Sequence, residues 1–289
     1  MISPRIRLET TAAELIGGFQ RIREEMQLPG GFPPDVESEA LRVSERLPSE
    51  GGPRRTPRLD IDFLTIDPPG SKDLDQAFHG SIAPGGYRIS YAIADLGHFV
   101  DPGGALDHES GVRGKTFYCP DLSVPLYPPT ISESAGSLLP GQLKPAVLWS
   151  FDLDREGIVR RTSVERAVVR SSRQLTYQQG QEEVDSGQPA AALRVLKEVG
   201  ILRLKLEEQR GGIDLKLPDQ EVRRTAGGFE LSYREELPIE AWNAQISLMT
   251  GMAAAAVMLE GGVGLLRTLP EPDQETVQML RLSAEALEL

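Results

Sequence analysis

Three aspartates stand close together in one short segment. Asp67 ends an apolar stretch, and Asp73 and Asp75 follow after a loop with two prolines and a glycine. Residues two apart in extended backbone point to the same side, so Asp73 and Asp75 are expected to converge, and the loop can return Asp67 towards them. Clustered carboxylates repel one another unless a cation neutralises them, and such hard oxygen ligands select Mg²⁺ or Mn²⁺. The chemistry suited to this cluster is phosphodiester hydrolysis by metal-activated water.

The spacing alone leaves two other interpretations open. An acidic turn of this kind can be a solvated loop without function. A structural Ca²⁺ loop is the other alternative, although the EF-hand pattern fails because no Glu stands at the twelfth position counted from Asp67.

The sequence around the aspartates predicts the strands that position them. Apolar residues from Leu59 to Ile66 predict a strand that leads into Asp67. Two hairpins are predicted, the first over 76–94 with a Pro-Gly-Gly turn and the second over 147–169 with a turn at 154–157. The intervening segment 102–145 is dense in Gly and Pro, and long irregular segments within a compact domain are usually functional.

Helices are expected on both sides of these strands. Helical spacing of apolar residues predicts helices over 10–27 and 36–46, and the Pro-, Gly- and Arg-rich stretch that follows is typical of a linker. Residues 1–57 are therefore predicted to form a helical extension with its linker, and 58–289 the main domain. After Leu175 the pattern is mainly helical, over 190–209, 239–259 and 272–288.

Composition limits the partners and the compartment. The net charge of −12 argues against a nucleic-acid partner when taken alone. The single cysteine, Cys119, excludes an internal disulfide and a cysteine-based zinc cluster, which fits the cytoplasm, and no secretory signal is expected at the N-terminus. Residues 241–259 carry no charge, but their polar and alanine content favours a buried helix of a soluble protein, so no membrane partner is expected.

The segment from Asp67 to Ala77 resembles the signature of the RNB catalytic domain of the ribonuclease II and ribonuclease R family. Several separate motifs in the right order are far more specific than one, and the resemblance covers about 58–289. The further matching motifs are Tyr91–Asp95, His98–Val100, Gly103–Asp107, Arg113–Gly114, Tyr118–Pro120, Pro125–Pro128, Ile131–Ser132 and Ser137–Pro140.

This resemblance implies an α+β fold, an RNB-like domain with a mixed sheet in its first half and helices in its second. It also implies a Mg²⁺-dependent 3′→5′ exoribonuclease that hydrolyses single-stranded RNA to nucleoside 5′-monophosphates. By position, Asp67, Asp73 and Asp75 match three of the four family aspartates that bind metal, with Asp73 and Asp75 predicted to be catalytic. Tyr118 matches a tyrosine that holds the 3′-terminal nucleotide.

Two departures from the family pattern affect this prediction. The fourth family aspartate falls at Gln76, whose carbonyl oxygen can still ligate a metal but brings no charge, so weaker Mg²⁺ binding is expected. The family's catalytic arginine lies in a C-terminal stretch that this sequence does not reach, which leaves reduced or absent catalysis as an expectation for these 289 residues alone. The alternative function is a non-catalytic RNA-binding or regulatory homologue.

The remaining polar candidates are weaker. His79, His98 and His108 lack the spacing of a zinc motif and are expected to be ordinary surface or packing residues. Asp95 and Asp107 are expected to have supporting roles. One basic concentration along 160–173 is either a solvated strand face or the lining of an RNA path. Its members are Arg160, Arg161, Arg166, Arg170 and Arg173.

Overall fold

The computed structural model describes residues 6–7, 12–48, 54–212, 219–225, 228–266, 268 and 270–286. The chain divides into two compact units, Met1–Thr250 and Gly251–Leu289. All the strands and the site described below belong to the first unit.

The N-terminal elements are β1 (Ile6–Arg7), α1 (Ala12–Glu25), α2 (Pro34–Ser44) and β2 (Thr56–Pro57). Both predicted helices are confirmed. One face of α2 is buried in a small core that includes Phe99, Leu106 and Ile131, so this helix shares a core with residues of the main domain. The boundary predicted at residue 57 stays a prediction.

A seven-stranded mixed sheet forms the centre of the first unit. It contains β2 and the strands β3 (Phe63–Asp67), β4 (Gln76–Ala83), β5 (Gly86–Ala94), β8 (Lys144–Asp154), β9 (Val159–Val169) and β10 (Ser171–Thr176). The strand order is β10-β3-β4-β5-β8-β9-β2. Both predicted hairpins are confirmed, and the predicted strand into Asp67 is β3. Two pairings are parallel: β2 with β9, and β10 with β3, where Thr176 stands beside Asp67.

The segment between β5 and β8 is largely irregular, as the Gly and Pro content predicted. It contains a 3₁₀ turn (Leu96–His98), α3 (Ala105–Arg113), the short pair β6 (Phe117–Tyr118) and β7 (Ser123–Val124), and a π-helical turn (Ile131–Ala135). Part of it covers one face of the sheet, where Leu138 is buried with Ala92, Leu148 and other sheet residues.

Three helices follow the sheet: α4 (Tyr177–Asp185), α5 (Ala191–Gln209) and α6 (Pro238–Gly261). Helix α5 packs on β4, where Gly80 lies against Val195. It also packs on α6, and a Cβ at Gly200 would lie 2.3 Å from the Trp242 Cβ. This close approach fixes the N-terminal half of α6 beside the sheet.

The chain after Leu175 is mainly helical, as predicted, but it also contains a hairpin that the sequence analysis does not predict. Strands β11 (Asp219–Thr225) and β12 (Gly228–Arg234) form an antiparallel hairpin, and β1 pairs with β12 to complete a three-stranded sheet. The hairpin lies between α5 and α6, and its strands are rich in charged and polar residues, so the sequence gives no clear strand pattern there. The predicted last helix is confirmed as α7 (Gln274–Ala286).

Helix α6 is long and apolar enough to cross a membrane by length and composition, the one such helix among the described residues. Core helices of soluble proteins share these properties. The prediction of a buried helix holds for its N-terminal half, where Ile239, Trp242, Ile246 and Met249 are buried, but residues 251–260 are partly or fully exposed.

Candidate metal-binding and nuclease site

The acidic loop begins where β3 ends, at Asp67. The Ser71 amide donates to the Pro68 carbonyl at 3.2 Å and closes a turn. Gly70 has φ +85°, a left-handed conformation that side chains with a Cβ rarely adopt. Proline and glycine therefore reverse the chain tightly, and Asp73 returns close to Asp67.

Leu74 holds the loop in this position. Its side chain is fully buried in the core beneath the sheet. Its amide donates to the Ser137 hydroxyl at 2.9 Å, and its carbonyl accepts from the Leu138 amide at 2.9 Å. Because extended backbone alternates its side chains, burying Leu74 directs Asp73 and Asp75 away from this core.

The three aspartates line one cavity of about 150 Å³ at the C-terminal end of β3. Its walls come from distant parts of the sequence, since the parallel strand β10 places Tyr177 there and the packed half of α6 contributes Asn243. The other lining residues are Leu64, Ile66, Gln76, Phe78 and Tyr91. The structure thus brings together all four of the predicted metal ligands.

Asp67 is the most perturbed of these carboxyls. Burial, with the negative charges of Asp75 and Asp73, raises its pKa to about 6. The Thr65 hydroxyl partly opposes this shift, but the Asp67 Oδ2 atom is buried and has no hydrogen-bond partner of good geometry. A buried carboxylate oxygen in this state is suited to a cation.

Asp75 reaches solvent through the cavity but lies in a concave site. Its pKa is raised chiefly by desolvation and, to a smaller extent, by repulsion from Asp73. Among the described residues, however, no three His, Cys, Asp or Glu side chains lie close enough together to hold a metal ion between them. The carboxylates share one cavity and repel one another, and they would have to draw together to bind a common cation.

Gln76 enters a small network of hydroxyl groups. Its Oε1 atom accepts hydrogen bonds from the Tyr91 hydroxyl and, at 3.0 Å, from the Ser247 hydroxyl. The two hydroxyls are also 2.6 Å apart. Burial raises the pKa of Tyr91 to about 12, so this phenol stays protonated and can donate. The carbonyl oxygen predicted to ligate metal therefore has two protein partners.

Tyr118 lies in a neighbouring, larger cavity of about 400 Å³ that shares Asp73 with the acidic one. The side chain is 77% exposed, and its hydroxyl donates to Asp73 Oδ2 in a long hydrogen bond of 3.4 Å. Partial desolvation and the charge of Asp73 raise the pKa of Tyr118. An exposed aromatic ring beside the carboxylates is placed to stack on a base.

The weaker candidates lie outside the acidic cavity. Asp95 accepts from Arg55 at 2.6 Å and from Arg166 at 3.3 Å, and Asp107 accepts from the Gly103 amide at the start of α3. His98 is buried against Phe99, with its pKa lowered chiefly by burial. Of the basic run, Arg160, Arg166 and Arg173 each pair with a carboxylate.

Sequence reasoning missed Tyr91, Tyr177, Asn243 and Ser247. Tyr91 begins one of the matched family motifs but is given no site role by the sequence, although its place opposite Phe78 in the predicted hairpin is a usable signal. The other three reach the site through the β3–β10 pairing and the packing of α6, which no local pattern reports.

The mixed sheet, with its aspartate-lined cavity at a strand end, belongs to a known class of nuclease domain. The family model of the RNB domain matches residues 55–288, and the chain belongs to this family of exoribonucleases. Ribonuclease R of Thermotoga maritima is 26% identical over 92% of the chain and 39% of its own length. DIS3-like exonuclease 2 and inactive exonuclease DIS3L2, both of Arabidopsis thaliana, are each 38% identical over 53% of the chain and 15% of their length.

Solved structures agree on the fold. Mycoplasma genitalium RNase R in complex with ribose-methylated single-stranded RNA superposes with a TM-score of 0.87 at 22% identity, over 94% of this chain and 44% of the other. The predicted α+β RNB-like fold is therefore confirmed. The chain spans less than half the length of each of these relatives.

Proposed function

We propose that this chain carries the acidic site of a divalent-metal-dependent 3′→5′ exoribonuclease that acts on single-stranded RNA and releases nucleoside 5′-monophosphates. The observation that carries the proposal is the convergence of Asp67, Asp73 and Asp75 on one cavity, with a buried Asp67 oxygen that lacks a partner. Membership of the RNB family supports the same activity.

The donor set fits a hard cation. Asp67, Asp73 and Asp75 would hold Mg²⁺ or Mn²⁺, with Gln76 beside them as a neutral neighbour. When bound, such a cation lowers the pKa of a water and stabilises the leaving oxygen of a phosphodiester. The raised pKa values of Asp67 and Asp75 mean that the site without metal favours protonation, so a cation competes with protons for the same oxygens.

The cavity that Tyr118 lines is the proposed binding site of the 3′-terminal nucleotide. Its volume of about 400 Å³ is within the usual range for small-ligand sites. Tyr118 offers a ring for stacking, and Lys72, which lines the same cavity, offers a cation for a phosphate. Because Asp73 borders both cavities, a nucleotide held by Tyr118 places its phosphate next to the carboxylates.

The test is hydrolysis of a 5′-labelled oligo(A) with Mg²⁺ or Mn²⁺. We expect a ladder that shortens from the 3′ end, with AMP as the 5′-monophosphate identified by chromatography. Asp75→Asn should lower the rate by about 10²-fold or more, because it removes a charged ligand. Asp62→Asn, a matched change at an exposed aspartate outside the cavity, should leave the rate unchanged.

A second function, RNA binding without catalysis, is favoured by two observations. Gln76 replaces a family aspartate, and a relative named as inactive is as similar to this chain as one named as an exonuclease. If the oligo(A) binds but remains intact in both metals, while Gln76→Asp restores cleavage, this second function holds. Absence of both binding and cleavage, in the unchanged protein and in Gln76→Asp alike, would contradict both functions.

A further inference from the structure

A third cavity, of about 270 Å³, lies on the sheet face opposite the acidic cavity. Phe78 and Tyr91 line the acidic cavity, and side chains alternate along a strand, so Arg88 and Ser90 of β5 point to the other face. The cavity is lined by Arg58, Arg88, Ser90, Ser150, Asp152, Arg161 and Ser163.

Strand register explains this lining. Ser90, Ser150 and Ser163 are direct cross-strand partners on β5, β8 and β9, and they form one row across the sheet. Arg88, Asp152 and Arg161 form the next row in the same way. Arg58, just after β2, closes one side because its amide donates to the Val168 carbonyl at 2.9 Å. The hydroxyls and guanidinium groups are therefore positioned by the sheet itself.

The donors of this cavity are only partly used by the protein. Arg88 pairs with Asp152 at 2.8 Å, and Arg58 pairs with Glu165 at 2.7 Å and with Asp60 at 3.3 Å. Within the described part of the chain, Arg161 has no carboxylate within 4 Å, although its charge contributes to lowering the pKa of Asp152. The three serine hydroxyls likewise have no hydrogen-bond partner among the described residues.

We propose that this arginine–serine cavity binds a phosphate group. It offers three guanidinium groups and three hydroxyls, and Asp152 is the one carboxylate in its lining. Arginine supplies several N–H donors in a fixed fork, so Arg58 and Arg88 keep free donors beside their carboxylate partners. A tetrahedral oxyanion can accept from Arg161 and from the serine row at once, whereas a cation would meet mostly positive charge.

The phosphate can belong to a free nucleotide or inorganic phosphate, or to an RNA backbone, since arginine and serine contact phosphates in either setting. This proposal does not depend on the proposed nuclease function, because no residue is shared between the two cavities.

The test is a titration of the protein with inorganic phosphate in which calorimetry measures the binding affinity. Arg161→Gln should weaken binding about tenfold, because a hydrogen bond to a charged group is lost. The matched control is Arg160→Gln, which removes the same charge one residue away, where the side chain pairs with Asp154. Ser163→Asp, a second variant at the cavity, should weaken binding further by placing a carboxylate in the serine row. Thermal unfolding confirms that each variant is folded.

Two further arms identify the source of the phosphate. In EDTA, where metal-dependent cleavage is blocked, a labelled oligo(A) should bind less tightly to Arg161→Gln than to Arg160→Gln if the RNA backbone is the ligand. If only the affinity for inorganic phosphate changes, the ligand is a free phosphate. Asp75→Asn should retain phosphate binding even if it abolishes cleavage. No saturable binding at millimolar phosphate, or equal binding by Arg160→Gln and Arg161→Gln, would overturn the proposal.

Discussion

Two aspartates at the same edge of the large sheet, at the ends of β3 and β5, have opposite surroundings. Asp95, just after β5, is buried with two arginine partners, Arg55 and Arg166. Asp67, at the end of β3, is partly buried with two carboxylates as its charged neighbours. The first arrangement neutralises a charge and joins the segment before β2 to the sheet. In the second arrangement the carboxylates repel one another, and a bound cation would neutralise this repulsion.

The largest expected effect tests the neutralised site. Arg55→Met should lower the free energy of unfolding by about 3 kcal/mol, because it leaves Asp95 buried with only the half-exposed Arg166 as partner. Urea unfolding measures this loss. The control, Arg170→Met at an exposed position, should change stability by less than about 0.5 kcal/mol. If both variants lower the free energy of unfolding equally, the buried pair of Arg55 and Asp95 contributes no more to stability than an exposed charge does.

The next prediction tests the repulsive site. The pKa of Asp67 is raised to about 6 in the folded protein, so folding favours its protonated form. Its contribution to stability is therefore fully present below about pH 4 and is lost as pH rises through about 6. In EDTA, Asp67→Asn should match the unchanged protein at pH 4 and melt higher, by on the order of a few degrees, above pH 6. A lower melting temperature at pH 7 would mean that Asp67 has a stabilising partner.

Adding a charge to the acidic cavity sharpens the comparison. Gln76→Asp should melt lower than Gln76→Asn in EDTA at pH 7, because it adds a fourth carboxylate to the same cavity. It should also bind Mn²⁺ about tenfold more tightly, as measured by calorimetry. The Gln76→Asn variant shortens the side chain by the same amount but adds no charge. It therefore controls for the loss of the hydrogen bonds to Tyr91 and Ser247. Equal Mn²⁺ affinity would place residue 76 outside the metal site.

The smallest effect is expected at an exposed pair. Arg173 and Glu183 are 2.6 Å apart, but both side chains retain solvent. Arg173→Gln should cost no more than about 1 kcal/mol of unfolding free energy, because water replaces the lost partner. A loss as large as that of Arg55→Met would show that pairing, and not burial, sets the size of these effects.

The sequence was most informative where the signals were local. The strand into Asp67, both hairpins and the helices α1, α2, α5 and α7 were predicted because each carries its own periodicity and turn residues. The acidic loop was predicted for the same reason, since Pro68, Gly70 and Leu74 determine its shape within a few residues.

The features that were missed depend on distant contacts. The parallel pairing of β10 with β3, and the half-buried state of α6, follow from tertiary packing. Gln76 was correctly expected beside the aspartates, but its hydroxyl partners depend on Tyr91 across the hairpin and Ser247 from α6. Local patterns place a residue on an element, whereas partners on other elements become visible only in three dimensions.

The pairing of β3 with β10 also bears on how the protein is made. Asp67 leaves the ribosome long before Thr176 and Tyr177. The side of the cavity that Tyr177 forms therefore depends on a pairing between distant segments, β3 and β10, which has a cost in chain entropy. The carboxylates of a nascent chain are therefore left in open solvent, where a cation is held weakly. Under the proposed function, a chain in the course of synthesis has its acidic residues before it has an assembled site for RNA hydrolysis.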